Sequence, residues 1–443
     1  MNERPPAPDQ AFNGLQNRRH FLSKAAAVLS AIPVGAAAAS REDLAIESSQ
    51  TSPGELFTNY GMPATEQRHV VRWISNNDAA PGNGISWTPL HELDGVITPN
   101  GLHYERHHNG IPALTDDQHE LTISGMVERP LAFDVAALLR YPRQSRICFI
   151  ECGGNSNAAW RKKPVQTPAG FFHGLISCSE WTGVPLSDLL EESGLKTGAT
   201  WAVAEGADAF SLTMSIPLDK LLDDCLVAMF QNGERIRPSQ GYPMRLLVPG
   251  WEGVYNVKWL KNIVLSDKPA MSRNETSRYT ELQADGRARQ FTFTMAPKSL
   301  ITNPSAEMAL PAHGFYELTG LAWSGHGRVA KVEVSADGGQ SWLEAELNAP
   351  VLPKCMTRFR IPWHWSGQTA VLQSRVTDEF GNQQPSRKTL LERHGRHGYF
   401  HYNGIVSWAV DTSGRVTHTY PDAQQSGDEN DPFGDLFMDD KWD

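Results

Sequence analysis

The chain is expected to fold as an α+β core followed by a β-sandwich of immunoglobulin type. Three observations carry this expectation. Residues 85–290 alternate strand-like and helix-like patterns, whereas from about residue 295 the pattern becomes short alternating strands broken by turns such as Asp337-Gly338-Gly339 and Phe380-Gly381-Asn382. Within the second region, GRVAKVEVSADGGQSWLEAEL reads as a β-hairpin, with Val332 and Val334 on one face and Asp-Gly-Gly turning the chain. Short strands at this spacing suit a sandwich. A length of 443 residues favours two or three domains, and 40% apolar with 20% charged residues is ordinary globular chemistry.

Taken in order, residues 1–39 read as an export signal. Asn17-Arg18-Arg19-His20-Phe21-Leu22-Ser23-Lys24 precedes a mild apolar run from Ala25 to Ala39, the pattern of a twin-arginine signal for the periplasm. Residues 40–84, mixed and Ser/Pro/Gly-containing, read as an arm or linker. In the 85–290 core, Ala136-Ala137-Leu138-Leu139 and the stretch Leu218 to Leu226 read as short helices. The sandwich is expected over 295–412 and a tail over 413–443, of which 421–443 carries eight acids against one Lys, with Phe433, Leu436, Phe437, Met438 and Trp442 interspersed. Such a run reads as a solvated tail or as a docking segment for a basic partner. The net charge of −10 gives nucleic-acid binding no electrostatic footprint, and no apolar run is long enough to serve as a membrane anchor.

Two segments concentrate chemistry. LHYERHHNGIP (102–112) places Arg106, His107 and His108 in a row, and ICFIECGGNSNAAW (147–160) places Cys152 where an apolar strand meets a Gly-Gly turn. Taken alone, Cys152 reads as a buried free thiol that packs as a small hydrophobe. A disulfide to Cys148 is excluded if the strand reading holds, because four residues separate the Cα atoms by ~13 Å. Cys178, Cys225 and Cys355 are too scattered for zinc-ligand spacing. A thiolate at a strand end beside cations is favoured when a positive or soft centre sits there.

Company decides between these readings. YERHHNGIP resembles the F-V-R-N-H-x-P-V-P segment of the sulfite oxidase-type molybdenum enzymes, LTISGMVERPLAFDVAALLRYP the strand and helix that follow it, and ECGGNSN the C-A-G-N-R-R metal-ligand loop. WTGVPLSDLL, GYPMRLLVPGWEGVYNVKWLKNI and GLAWSGHGRVAKVEVSADGGQSW resemble later segments of the same family in the same order, the last in its C-terminal dimerisation domain. The resemblance covers roughly residues 85–410. It implies a molybdopterin-binding core, a molybdenum–molybdopterin cofactor, Cys152 as the thiolate ligand of the metal, and Arg106, His107, His108, Asp208, Gln240, Arg245 and Lys258 around the pterin and its phosphate. Guanidinium forks and ammonium groups pair with phosphate, and a carboxylate such as Asp208 would accept from pterin N–H groups.

Departures from the family pattern concern the substrate. Asn157 stands where sulfite-oxidising members carry Arg, Phe171 where they carry Trp, Met229 where they carry Tyr, and Gln240 where they carry His. Together with Ser156, which replaces a second Arg, these changes predict a more apolar, less cationic pocket, with Asn157, Phe171 and Met229 as substrate-side residues beside Cys152. Sulfite, a small dianion, needs cations and hydroxyl donors. The pattern resembles the sulfane dehydrogenase branch of bacterial sulfur oxidation (the Sox system), whose substrate is a cysteine persulfide on a sulfur-carrier protein. That resemblance implies oxygen-atom transfer and electron delivery to a c-type cytochrome subunit, monohaem or dihaem, since this chain has no C-x-x-C-H haem attachment. It further implies a homodimer of such pairs. The alternative is a sulfite:cytochrome c dehydrogenase, which requires a replacement cation such as Arg358 from the sandwich. A methionine sulfoxide-type reductase would lack the sandwich, and a non-catalytic binding protein would not need Cys152, Arg106, His108 and Lys258 together.

Overall fold

A computed structural model describes residues 53, 58–395 and 398–421. The expected export signal and the acidic tail from residue 422 lie outside the described residues.

The core is built on three sheets. Trp73–Asn76, Gly84–Trp87 and Glu105–His107 form an antiparallel three-stranded sheet, so the end of the expected arm is paired to the core. A five-stranded sheet runs Glu234–Arg235, Leu226–Gln231, Ile176–Pro185, Gln144–Glu151, with Arg245–Leu247 pairing back onto Leu226–Gln231. The other runs Leu131–Asp134, Glu120–Gly125, Leu260–Ser266, Trp201–Gly206, Thr213–Pro217, with one parallel pair at its centre.

Helices are short and sit where strands end. Val135–Leu138 is capped by Asp134, whose carboxylate accepts from Ala137 N at 2.6 Å. Leu186–Ser193 buries Leu186, Leu189, Leu190 and Ser193, one face at helical spacing, and stops at Gly194. The helix expected over Leu218 to Leu226 ends at Asp223. Leu226 instead opens a strand, facing Pro185 on one side and Leu247 on the other, because two long-range ladders outweigh local helix propensity.

The C-terminal domain is a sandwich of a four-stranded sheet (Lys298–Asn303, Gly314–Trp323, Thr357–Trp365, Glu346–Leu347) and a five-stranded one (Leu343–Glu344, Val329–Ser335, Ala370–Asp378, Ser407–Val410, Val416–Thr419). Trp323, Phe359, Trp363 and Trp408 fill the space between them. The expected hairpin forms, with Val334 opposite Leu343, and its turn uses Gly338 and Gly339 at φ 72° and 93°. The expected boundary at residue 412 is corrected: Val416–Thr419 pairs along its length with Ser407–Val410 and closes the sheet, so the domain runs past the point where a tail was expected to begin.

The two domains share a core. Phe149, Trp160, Phe172 and Cys178 pack in the same buried cluster as Leu300, Trp323 and Val332. Cys178 and Cys355, scattered in sequence, meet across this junction with their sulfurs 3.5 Å apart as free thiols. No described helix is long and apolar enough to cross a membrane.

Candidate active site

The strand Gln144–Glu151 and its partner Ile176–Pro185 bring Cys152 into the lining of a cleft open to solvent. Cys152 N donates to Leu175 O (2.9 Å), and Asn155 N donates to Cys152 O (2.9 Å), so the loop turns tightly just after the sulfur leaves the strand. Burial pushes this thiol up to about 11, even with a Gly154 backbone hydrogen bond favouring the thiolate. A soft cation at Sγ would reverse that balance.

Arg106, His107, His108, Asp208, Gln240, Arg245 and Lys258 all line the same cavity, although 152 residues separate Arg106 from Lys258. Arg245 is 3% exposed and stacks over the Trp181 ring at 4.9 Å. It donates to Gln240 O (3.0 Å) and Asn256 O (2.9 Å), its Nε has no partner, and burial lowers it to about 10. Lys258 donates to Arg106 O (3.2 Å), Ser239 O (3.0 Å) and His107 Nδ1 (2.9 Å). Burial, and then repulsion from Arg245, drives it well below the ordinary lysine value. These cations meet carbonyls rather than carboxylates, and an anion is the partner that would offset their desolvation.

His107 is fully engaged. With Nδ1 accepting from Lys258, Nε2–H donates to Glu105 Oε2 at 3.1 Å. It therefore braces Lys258 and Glu105. His108 stacks on Phe210 at 4.3 Å and is pushed down to about 3 by burial and by Arg106, so it is a neutral ring. Gln240 donates to Tyr104 O (2.9 Å), and burial raises the Asp208 carboxyl.

Asn157, Phe171 and Met229 are not among the lining residues, and the expected substrate wall is corrected accordingly. Met229 is wholly buried in the hydrophobic cluster beneath the second core sheet, at a register shift between Ala228 and Phe230 that sets which face each side chain takes. Phe171 packs in an aromatic cluster, tilted against Trp73 (5.7 Å) and edge-on to His91 (5.6 Å). Asn157 opens a 3-10 turn, its N–H bonded to Gly154 O. Tyr104 and Tyr279 line the cavity, and burial holds both phenols well above their ordinary value, so each keeps its proton and can donate.

Other site residues escape sequence reasoning. Glu252 lies against Gly153 and pairs with His401 Nε2 at 3.4 Å, while His401 N donates to Gly153 O at 2.8 Å. Tyr399, 47% exposed, would touch a side chain added at Gly154. His401 and Tyr399 come from a loop of the sandwich domain, and nothing local to GYFHYNG signals that destination. Tyr104 alone had a signal, standing two residues before Arg106 in the motif.

The comparisons with known proteins agree with this geometry. Residues 108–274 match the oxidoreductase molybdopterin binding domain, and residues 289–403 match the Mo-co oxidoreductase dimerisation domain. The crystal structure of the sulfane dehydrogenase SoxCD from Paracoccus pantotrophus is similar, with a TM-score of 0.82 and 41% identity, covering 85% of this chain and 97% of that one. More distant are an NADH nitrate reductase of Solanum lycopersicum, 31% identical over 68% of this chain, and one of Arabidopsis thaliana, 30% identical over 71%. This chain spans 37% and 39% of those two reductases.

Proposed function

Because this chain belongs to the sulfite oxidase-type family of molybdenum enzymes, and so is a molybdopterin-dependent oxidoreductase, we propose that it oxidises sulfane sulfur carried as a cysteine persulfide on a carrier protein. In this reading it works in the periplasm after twin-arginine export and passes electrons to a c-type cytochrome subunit. The dimerisation domain would join two such pairs.

The residues present fit the cofactor. Cys152 is the one cysteine among the lining residues and would be the metal ligand, while Arg106, Arg245 and Lys258 would take the phosphate. The orphaned Nε of buried Arg245 is the kind of donor an anion satisfies. His108, Gln240 and Asp208 would address the pterin, with His107 bracing Lys258. When bound, the cofactor supplies two-electron oxidation with oxygen drawn from water. The chain's own share is to seat the incoming sulfur. Tyr104 and Tyr279 offer neutral O–H donors beside Cys152, and Tyr399 at the surface flanks the loop that carries it. A substrate delivered on a tether needs reach more than anion capture, since the tether sets its effective concentration.

One observation carries the preference for sulfane over sulfite. The basic side chains Arg106, Arg245 and Lys258 line the cavity, and in this reading all three would serve the cofactor's phosphate. The sulfite reading needs another, but Arg358 points into the domain junction, donating to Gly95 O (3.0 Å) and Leu93 O (2.9 Å). The testing experiment is cytochrome c reduction by the molybdenum-loaded protein with its cytochrome subunit, comparing a persulfide-loaded carrier with free sulfite. Reduction by the persulfide alone is expected. Brisk reduction by sulfite would hand first place to a sulfite:cytochrome c dehydrogenase.

A further inference from the structure

The residues on either side of Cys152 are held by a buried polar cluster that is not part of the cavity wall. Glu151, just before the cysteine, accepts from Trp323 Nε1 (2.7 Å) and Asn155 Nδ2 (2.9 Å) and pairs with Lys298 Nζ at 3.2 Å. Lys298 also donates to Ser156 Oγ at 2.6 Å. That oxygen lies within hydrogen-bond distance of His173 Nδ1 (2.6 Å), and burial keeps the imidazole neutral. The Lys298 and Glu151 side chains are 1% and 2% exposed.

The cluster joins two domains. Lys298 and Trp323 are cross-strand partners in the sandwich, whereas Glu151 ends the strand that leads into Cys152 and Asn155 and Ser156 lie in the loop just after it. One ammonium thus grips the loop at both ends. Ser156 sits at φ 65°, a left-handed conformation that a non-glycine residue adopts only when its surroundings impose it. A buried ion pair is a poor way merely to glue domains, since apolar residues of similar volume often do as well or better. Direction is what it confers. Where the C-A-G-N-R-R pattern carries an Arg in the loop itself, this chain has Ser156 and receives the cation from another domain.

We propose that Lys298 is a positioning residue for the Cys152 thiolate: by clamping Glu151 and Ser156 it fixes the direction of Sγ, so the metal site is complete only when sandwich and core are docked. This rests on Cys152 being the metal ligand. Partners that orient a ligand typically alter metal affinity or activity by 10- to 100-fold when removed.

The test uses the full-length holoprotein with Lys298→Met, Lys298→Arg and the charge-balanced pair Lys298→Met/Glu151→Gln. Readouts are molybdenum per chain, the electron paramagnetic resonance spectrum of the half-reduced metal, and the thermal unfolding midpoint. Molybdenum is expected to fall about tenfold in K298M, with a shifted spectrum in what remains, and K298R is expected to restore both. The paired variant leaves no buried charge unmatched, so it remains folded if K298M does not, and it too is expected to give the shifted spectrum. A wild-type spectrum and metal content in the folded pair would overturn the proposal. Cys152→Ser separates the two readings. A metal signal surviving there sinks the ligand assignment, whereas loss of signal in C152S beside an unmoved signal in the pair overturns only the positioning role.

Discussion

Two adjacent glycines follow Cys152, and the structure assigns them opposite tolerances. A Cβ added at Gly153 would lie 1.8 Å from Glu252 Oε1 and 2.7 Å from its Cδ, inside the 3.0 Å that real Cβ atoms essentially never breach. Glu252 cannot swing away, because it is 1% exposed and paired with His401. A Cβ at Gly154 would meet nothing closer than 3.9 Å. Overpacking a closed site typically costs about 1–3 kcal/mol, and a substitution that meets no such feature stays within about 0.5 kcal/mol. Gly153→Ala should therefore lower the thermal unfolding midpoint and the molybdenum content, because the loop that must shift carries Cys152. Gly154→Ala should do neither. Adding Glu252→Ala to G153A empties the space the methyl group needs, so the two costs should fail to add. Equal behaviour of the two alanine variants, or strict additivity in the double variant, would refute the packing argument.

Two further outcomes follow from the site's electrostatics and from the junction. Glu105 is held down to about 2: burial opposes ionisation, but hydrogen bonds from His107, Ser239 and Arg72 outweigh it. Its folded value lies below the ordinary 4.5, so the stabilisation is complete above that pH and is lost as pH falls toward 2; Glu105→Gln should unfold earlier than wild type at neutral pH, the gap closing in acid. A gap that widened in acid would contradict the assignment. Arg358→Met should lower the thermal unfolding midpoint, at a cost of about 1 kcal/mol for each hydrogen bond lost to the Leu93 and Gly95 carbonyls, while leaving persulfide turnover unchanged; loss of turnover in a variant that stays folded would place Arg358 at the substrate.

What was legible in the sequence and what was not divides along contact range. Arg106, His108 and Cys152 were legible because each lies in a short segment whose strand end delivers it to the cavity. The hairpin at Asp337 was legible because Gly338 and Gly339 encode its turn locally. The facing of Met229 is not legible because it depends on a register shift between Ala228 and Phe230 against the strand Ile176–Pro185, invisible in a string of apolar residues. The strand Val416–Thr419 reads as tail in the sequence because only its pairing with Ser407–Val410 defines it. Tyr279, Glu252 and His401 reach the site from three distant segments, and no periodicity or motif brings them together.

The proposed oxidation of a tethered sulfane sulfur, carried to the sulfonate level, would be R–S–S⁻ + 3 H₂O → R–S–SO₃⁻ + 6 H⁺ + 6 e⁻. The most direct measurement is the number of electrons delivered to cytochrome c per persulfide on the carrier, by titrating the complete enzyme with a known amount of loaded carrier and recording haem reduction to its end point. Six electrons per sulfur, with no reduction by unloaded carrier, is the result the account predicts. Two electrons per sulfur, or an end point set by contaminating free sulfite, would contradict it.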